Sequence, residues 1–89
     1  MKYLSTKTYT EVEIDVATAS LDQLLDAYNS LFEMSDSGGA FPGSSAWKKA
    51  KVYDDQLNAL TAARPEVVGY RKSLADAARA ARLANTYID

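Results

Sequence analysis

The chain has 89 residues, of which 47% are apolar and 25% charged, a composition typical of one globular domain over residues 1–89. It contains no cysteine and no histidine, which excludes disulfides, thiolate nucleophiles and cysteine zinc sites and removes the commonest general base. The net charge of −2 is uneven, with −5 over residues 1–36, +1 over 37–63 and +2 over 64–89, which favours self-association over nucleic-acid binding.

The first predicted element is a β-strand over residues 8–16, where side chains of two kinds alternate strictly. One face carries Thr8, Thr10, Val12, Ile14 and Val16, and the other carries Tyr9, Glu11, Glu13 and Asp15. The backbone groups of a single strand need partners. A turn near residues 5–7 would supply them from residues 2–7 in a hairpin. Without that turn, the strand pairs with its copy in a homodimer or with the edge of another protein.

Three helices are predicted to follow. Residues 20–23 form a capping box that starts the first helix, which an apolar stripe carries to about Met34. The loop over residues 35–45 separates it from a second helix over about 46–63, which Ser44 or Ser45 caps, and Pro65 opens the third. Apolar residues of the third helix recur at alternating spacings of three and four: Val67, Tyr70, Leu74, Ala77, Ala81, Ala84 and Ile88.

The elements predict an α+β, mainly helical domain. An N-terminal strand or short hairpin packs against the three helices, and the last two helices form an antiparallel pair. The predicted core consists of Val12, Ile14, Val16, Leu21, Leu24, Leu25, Tyr28, Leu31, Phe32, Trp47, Tyr53, Leu57, Leu60, Val67, Tyr70 and Leu74.

Two surfaces are candidates for binding a protein partner. The first is the strand edge, whose exposed residues are Tyr9, Glu11, Glu13 and Asp15. The second is the corner over residues 41–51, where Phe41 and Trp47 provide aromatic side chains of the kind that dominate protein interfaces. The structural alternative is that Phe41 and Trp47 fill the end of the core, which helical spacing of aromatic residues favours.

An anion site is the main alternative at the same corner. Lys48, Lys49 and Lys51 occupy the first turns of the second helix, where the helix dipole disfavours positive charge, so a bound anion or nucleic acid would explain them. A solvated face explains them as well, and we favour it. Residues 38–45 do not form a phosphate-binding loop, because Ser44 stands where that motif requires lysine. The basic residues of the third helix are likewise interpreted as a solvated face: Arg64, Arg71, Lys72, Arg79 and Arg82.

Catalytic chemistry finds little support in the pattern of polar residues. Asp54 and Asp55 diverge around their helix, and Asp22 and Asp26 share a face without further ligands spaced for a metal. The serines have no partner suited to activate them. We therefore predict no enzymatic activity, no metal site and no cofactor.

The leading hypothesis is a non-enzymatic protein-interaction module, either an inhibitor-like or regulatory binder of a larger protein or a homodimer formed through the N-terminal strand. The alternatives are an anion or nucleic-acid binder and a structural subunit in which the alanine seam packs between chains. No apolar run has secretory or membrane-spanning length, which predicts a cytoplasmic protein without a membrane role. The composition also suits a phage or mobile-element accessory protein, although no motif supports that source.

Overall fold

The computed structural model describes residues 1–86 and the side chains of residues 1–84. Its elements are β1 (Lys2–Leu4), β2 (Glu11–Glu13), α1 (Leu21–Met34), α2 (Ser45–Ala63) and α3 (Glu66–Thr86). The predicted α+β class is confirmed, because an antiparallel hairpin is followed by three helices. The predicted Ile88 lies outside the described residues.

The hairpin corrects the predicted strand, which is much shorter than residues 8–16. Tyr3 pairs with Val12 in the centre of the ladder, so the strand finds its partner within the chain. Residues 5–10 form a turn instead of extending β2, because the buried Ser5 collects its hydrogen bonds: its hydroxyl accepts from the N–H groups of Lys7 and Thr8, and its carbonyl accepts from that of Tyr9 at 2.8 Å. Hydroxyl side chains that bond nearby backbone groups compete with extended structure in this way.

Polar contacts fasten the hairpin to α1. The buried Tyr3 donates its hydroxyl to Asp26 at 2.6 Å, and the Thr6 N–H donates to the Ser30 hydroxyl at 3.0 Å. Burial, together with the hydrogen bond to the Asp26 carboxylate, raises the pKa of Tyr3 well above its usual value. Helix α1 also contacts α2 and α3, so it is the central element of the domain.

Serine residues begin the first two helices, as predicted. Ser20 and Gln23 form the complete capping box at α1, with the serine hydroxyl accepting at 3.2 Å and the glutamine carbonyl accepting at 2.8 Å. Of the two candidates at α2, Ser44 is the cap, and its hydroxyl accepts from the N–H of Trp47. Because α2 ends beside residues 16–19, which precede α1, the two helices run antiparallel.

The core is smaller than the predicted set. Its buried members are Tyr3, Ile14, Ala19, Leu24, Ala27, Leu31, Leu57, Leu60 and Val67. Three predicted core residues are exposed: Leu21 by 37%, Phe32 by 52% and Leu74 by 43%. Leu21 opens the first turn of α1, and Leu74 lies on α3 beyond Val67 and Tyr70, the last residues of that helix to be buried or half-buried.

Helix α3 begins on the domain and then leaves it. Val67 is fully buried and the Tyr70 hydroxyl donates to Asp22, whereas every residue from 71 to 84 is exposed. We call residues 71–84 the arm. At its start, α3 packs more extensively on α1 than on α2. Helix α3 follows α2 through the junction at residues 64–65 and runs in the opposite direction to α2.

Candidate interaction surfaces

Two loops meet at one end of the molecule, which we call the loop end and define as residues 5–10, 35–44 and the first turn of α2. The hairpin turn reaches it because Thr6 is bonded to Ser30, one turn before the end of α1. One cleft there is lined by residues of β1, α1, the second loop and α2, including Leu4, Met34, Ser37 and Ala46. The structure therefore brings the hairpin turn and the predicted corner over residues 41–51 to the same end.

Two aromatic side chains project from the loop end. Tyr9 is 83% exposed and Phe41 is 84% exposed, the highest values among the large apolar side chains described. Phe41 is therefore not part of the core, contrary to the structural alternative. Tyr9 has a positive φ of 58°, a conformation that costs a non-glycine residue free energy and that its N–H bond to Ser5 maintains.

Hydrogen bonds between residues two or three positions apart also fix the loop that carries Phe41. The Gly38 N–H donates to the Asp36 carboxylate at 2.9 Å, and the Ser44 N–H donates to the Phe41 carbonyl at 3.0 Å. Gly43 follows at a φ of 87°, a conformation that glycine adopts without strain. Within the predicted loop over residues 35–45, Phe41 is thus presented by a defined turn.

Trp47 differs from the other two aromatic residues because it is only half-exposed. It lines a polar cleft between the end of α1 and the start of α2, together with Ser35, Ser37, Lys51 and Asp54. Trp47 therefore borders the loop end and contributes less accessible surface than Tyr9 and Phe41.

Two residues of the predicted acidic row, Glu11 and Asp15, have partners within the chain. The Glu11 carboxylate lies 3.9 Å from the ammonium of Lys2. In the β1–β2 ladder, Lys2 is the direct partner of Glu13. Asp15 is used within the chain, since its carboxylate accepts from the Ala17 N–H at 3.1 Å. Glu11 and Glu13 remain exposed on β2, but cross-strand pairing with lysine lowers the net negative potential of this surface.

The three lysines of the anion alternative have different surroundings. Lys51 is bonded to Asp55 at 2.7 Å and lies 3.9 Å from Asp54, and these carboxylates raise its pKa. Lys48 and Lys49 are exposed, and Lys49 lines the cleft that also contains Glu33 and Asp36. Neighbouring carboxylates weaken the attraction of this helix start for an anion.

Two arginines have roles that the sequence interpretation missed. The Arg64 guanidinium, whose side chain is 21% exposed, donates from Nη1 to the carbonyls of Val16, Ala17 and Ala19 at 2.9, 3.2 and 3.1 Å. It therefore ties the segment before α1 to the junction between α2 and α3. No local sequence signal marks this role, because the acceptors are 45 to 48 residues away.

The second arginine lies where the arm leaves the domain. Arg71 stacks over the rings of Tyr28 and Phe32 at 5.3 and 5.4 Å and donates to the Asn29 side chain at 2.9 Å. The cleft between α1 and α3 at this point is lined by Asn29, Phe32, Glu33, Arg71 and Ala75. The Arg71 guanidinium offsets part of the cost of exposing Phe32, since a cation over an aromatic face is favourable.

Within the part of the chain that the structure describes, no three acidic side chains are grouped so as to hold a metal ion. Among the same residues, no helix has the length and apolar character needed to cross a membrane. Comparison of the chain with family models, curated proteins and solved structures found no match.

Proposed function

We propose that this protein is a non-enzymatic interaction module, an inhibitor-like or regulatory binder of a larger cytoplasmic protein. The observation that carries the proposal is the pair of exposed aromatic side chains at the loop end, Tyr9 and Phe41. Aromatic residues are enriched among the side chains that contribute most to protein binding, because they bury a large area with few rotatable bonds.

The backbone at both aromatic positions supports this role. A residue held at positive φ reduces stability unless something compensates, and such strain tends to cluster at functional sites. Tyr9 is held there by a turn whose bonds converge on Ser5, and Phe41 lies in a turn closed by Ser44. The backbone at both positions is thus fixed before a partner arrives, which lowers the entropic cost of binding.

Neither of the other predicted modes of action has comparable support. The acidic row of β2 is partly neutralised by Lys2, and the strand no longer needs a second chain to satisfy its inner edge. The anion alternative retains Lys48 and Lys49 but shares Lys51 with two carboxylates. These modes remain predictions, and a screen of oligonucleotide binding at low and high salt would check the anion alternative.

Photo-cross-linking tests the loop end directly. A photoreactive phenylalanine analogue would replace Tyr9 or Phe41, and control positions would be Leu21 and Val68, exposed apolar residues at the opposite end of α1 and at the start of α3. We expect one discrete adduct with a larger protein of the source cell from positions 9 and 41 and none from the controls.

The adduct must also depend on the aromatic side chains. With the analogue at position 9, Phe41→Ser should reduce the yield at least tenfold, while Val68→Ser should leave it unchanged. Equal labelling from all four positions would contradict the proposal, as would an adduct whose mass is twice that of this chain.

A further inference from the structure

The arm presents an apolar face that continues the surface by which α3 packs on α1. Val67 and Tyr70 occupy that surface within the domain, and the same heptad positions recur along the arm. The recurring residues are Leu74, Ala77, Ala81 and Ala84. All four are exposed, so no other described part of the chain covers this continuation of an existing interface.

From Ser73 onward the borders of the face carry no charge. The flanking residues there are Ser73, Ala78 and Ala80, whereas Lys72 and Arg79 lie on the opposite side of the helix. Arg71 occupies the flanking position before this stretch, where it stacks on Tyr28 and Phe32 of its own α1. Charged flanking residues normally decide which helix a coiled-coil face accepts. Their absence from Ser73 onward means that two copies of this face meet without repulsion along the seam, and the small side chains allow the helices to approach closely.

The charge distribution selects both the partner and the orientation. Residues 1–70 contain six basic and ten acidic residues, a net charge of −4, whereas the arm contains four basic residues and one acidic residue, a net charge of +3. Two copies with parallel arms would place the acidic domains side by side. Antiparallel arms keep the acidic domains apart and bring the end of each basic arm to the cleft next to Ala75 of the other copy, which contains Glu33.

We propose that a second copy of this chain covers the arm in an antiparallel two-fold dimer. The heptad spacing then places Leu74 opposite the partner's Ala84 and Ala77 opposite the partner's Ala81. Two-fold symmetry repeats each contact, and a large side chain meets a small one at both ends of the seam. The proposal rests on residues other than Tyr9 and Phe41, so it stands or fails independently of target binding at the loop end.

Sedimentation equilibrium of the full chain over micromolar to millimolar concentrations tests the dimer. We expect reversible dimerisation, which Ala77→Gln combined with Ala81→Gln should weaken by about tenfold or more, since added volume in a close-packed contact is costly. Leu83→Gln is the control, because Leu83 is also exposed but lies outside the seam, and dimerisation of this variant should be unchanged. A chain that stays monomeric throughout, or an equal loss in the control, would overturn the proposal.

Engineered cysteines test the orientation, and the absence of native cysteine makes the result unambiguous. Ala77→Cys and Ala81→Cys would be prepared separately, mixed and oxidised. The antiparallel dimer predicts a mixed disulfide that forms faster than either symmetric one, since position 77 faces position 81 of the partner. Preferential cross-linking of each variant to itself would show parallel arms and contradict the proposed arrangement.

Discussion

Replacing Arg64 with alanine should destabilise the domain more than any other removal of a surface charge. Three carbonyls lie within 3.2 Å of Nη1, but that nitrogen has only two hydrogens, so the equivalent of two charge-assisted bonds is lost. With about 1.5 kcal/mol for each, the low end of the usual range because some acceptors are near solvent, the loss is about 3 kcal/mol. The ion pair with Glu66 adds little, since Glu66 is exposed.

Urea denaturation followed by circular dichroism measures this loss. A domain of this size has a stability on the order of 4–13 kcal/mol, so the variant loses a large share of it. With a urea dependence of about 1–2 kcal/mol per molar, the midpoint should fall by about 1.5–3 M. Arg64→Lys should lose part of this, because one ammonium cannot satisfy the same set of carbonyls.

Arg79→Ala is the matched control for Arg64, since it removes the same charge from an exposed site on the arm. Its free energy of unfolding should stay within about 0.5 kcal/mol of the parent chain. If Arg64→Ala changed the midpoint no more than Arg79→Ala does, the bonds to residues 16–19 would not be holding the domain together, and the reasoning would be refuted.

Three further predictions concern single side chains. Tyr3→Phe should lower the free energy of unfolding by about 2 kcal/mol at pH 7, because it removes the bond to Asp26. Folding raises the Tyr3 pKa, so the stability that Tyr3 contributes is complete below about pH 10 and falls as the pH rises further. The unfolding curves of the two proteins should therefore converge above about pH 10. Tyr9→Gly should raise the urea midpoint, because it relieves about 1 kcal/mol of strain at positive φ. The same variant should abolish the proposed cross-link to a target. A lowered midpoint would show that the turn is unstrained. Ser20→Ala should cost about 1 kcal/mol through loss of the capping box with Gln23, whereas an unchanged midpoint would show that solvent replaces the cap.

The helices were predictable because their signals are local. A serine cap with glutamine three residues later identifies the start of α1, and Ser44 and Pro65 stand at the starts of the next two helices. The hairpin was harder, because alternation over residues 8–16 suggests one long strand. The bonds to the Ser5 side chain that fold residues 5–10 into a turn depend on its burial against α1, a tertiary effect that alternation does not encode.

The candidate surfaces were predictable only in part. Sequence alone identifies Tyr9 and Phe41 as candidate contact residues, although it favours Phe41 in the core. That both lie at one end depends on the bond between Thr6 and Ser30 across 24 positions. The apolar pattern of α3 is visible in the sequence, yet it looks like core because periodicity does not say where a helix leaves its domain. Periodicity therefore predicts Leu74 in the core, although the structure exposes it.

Helix α1 has residues buried in the core whereas the arm is exposed, so the two regions open independently. Amide protons in the middle of α1, where Leu24, Ala27 and Leu31 are fully buried, exchange with solvent only when the whole domain unfolds. Those of the arm open by local fraying, because every residue from 71 to 84 is exposed and the last buried residue before them is Val67. Exchange rates along α3 would then depend on protein concentration if the arm is covered by a second copy, so this one helix reports both on folding and on assembly.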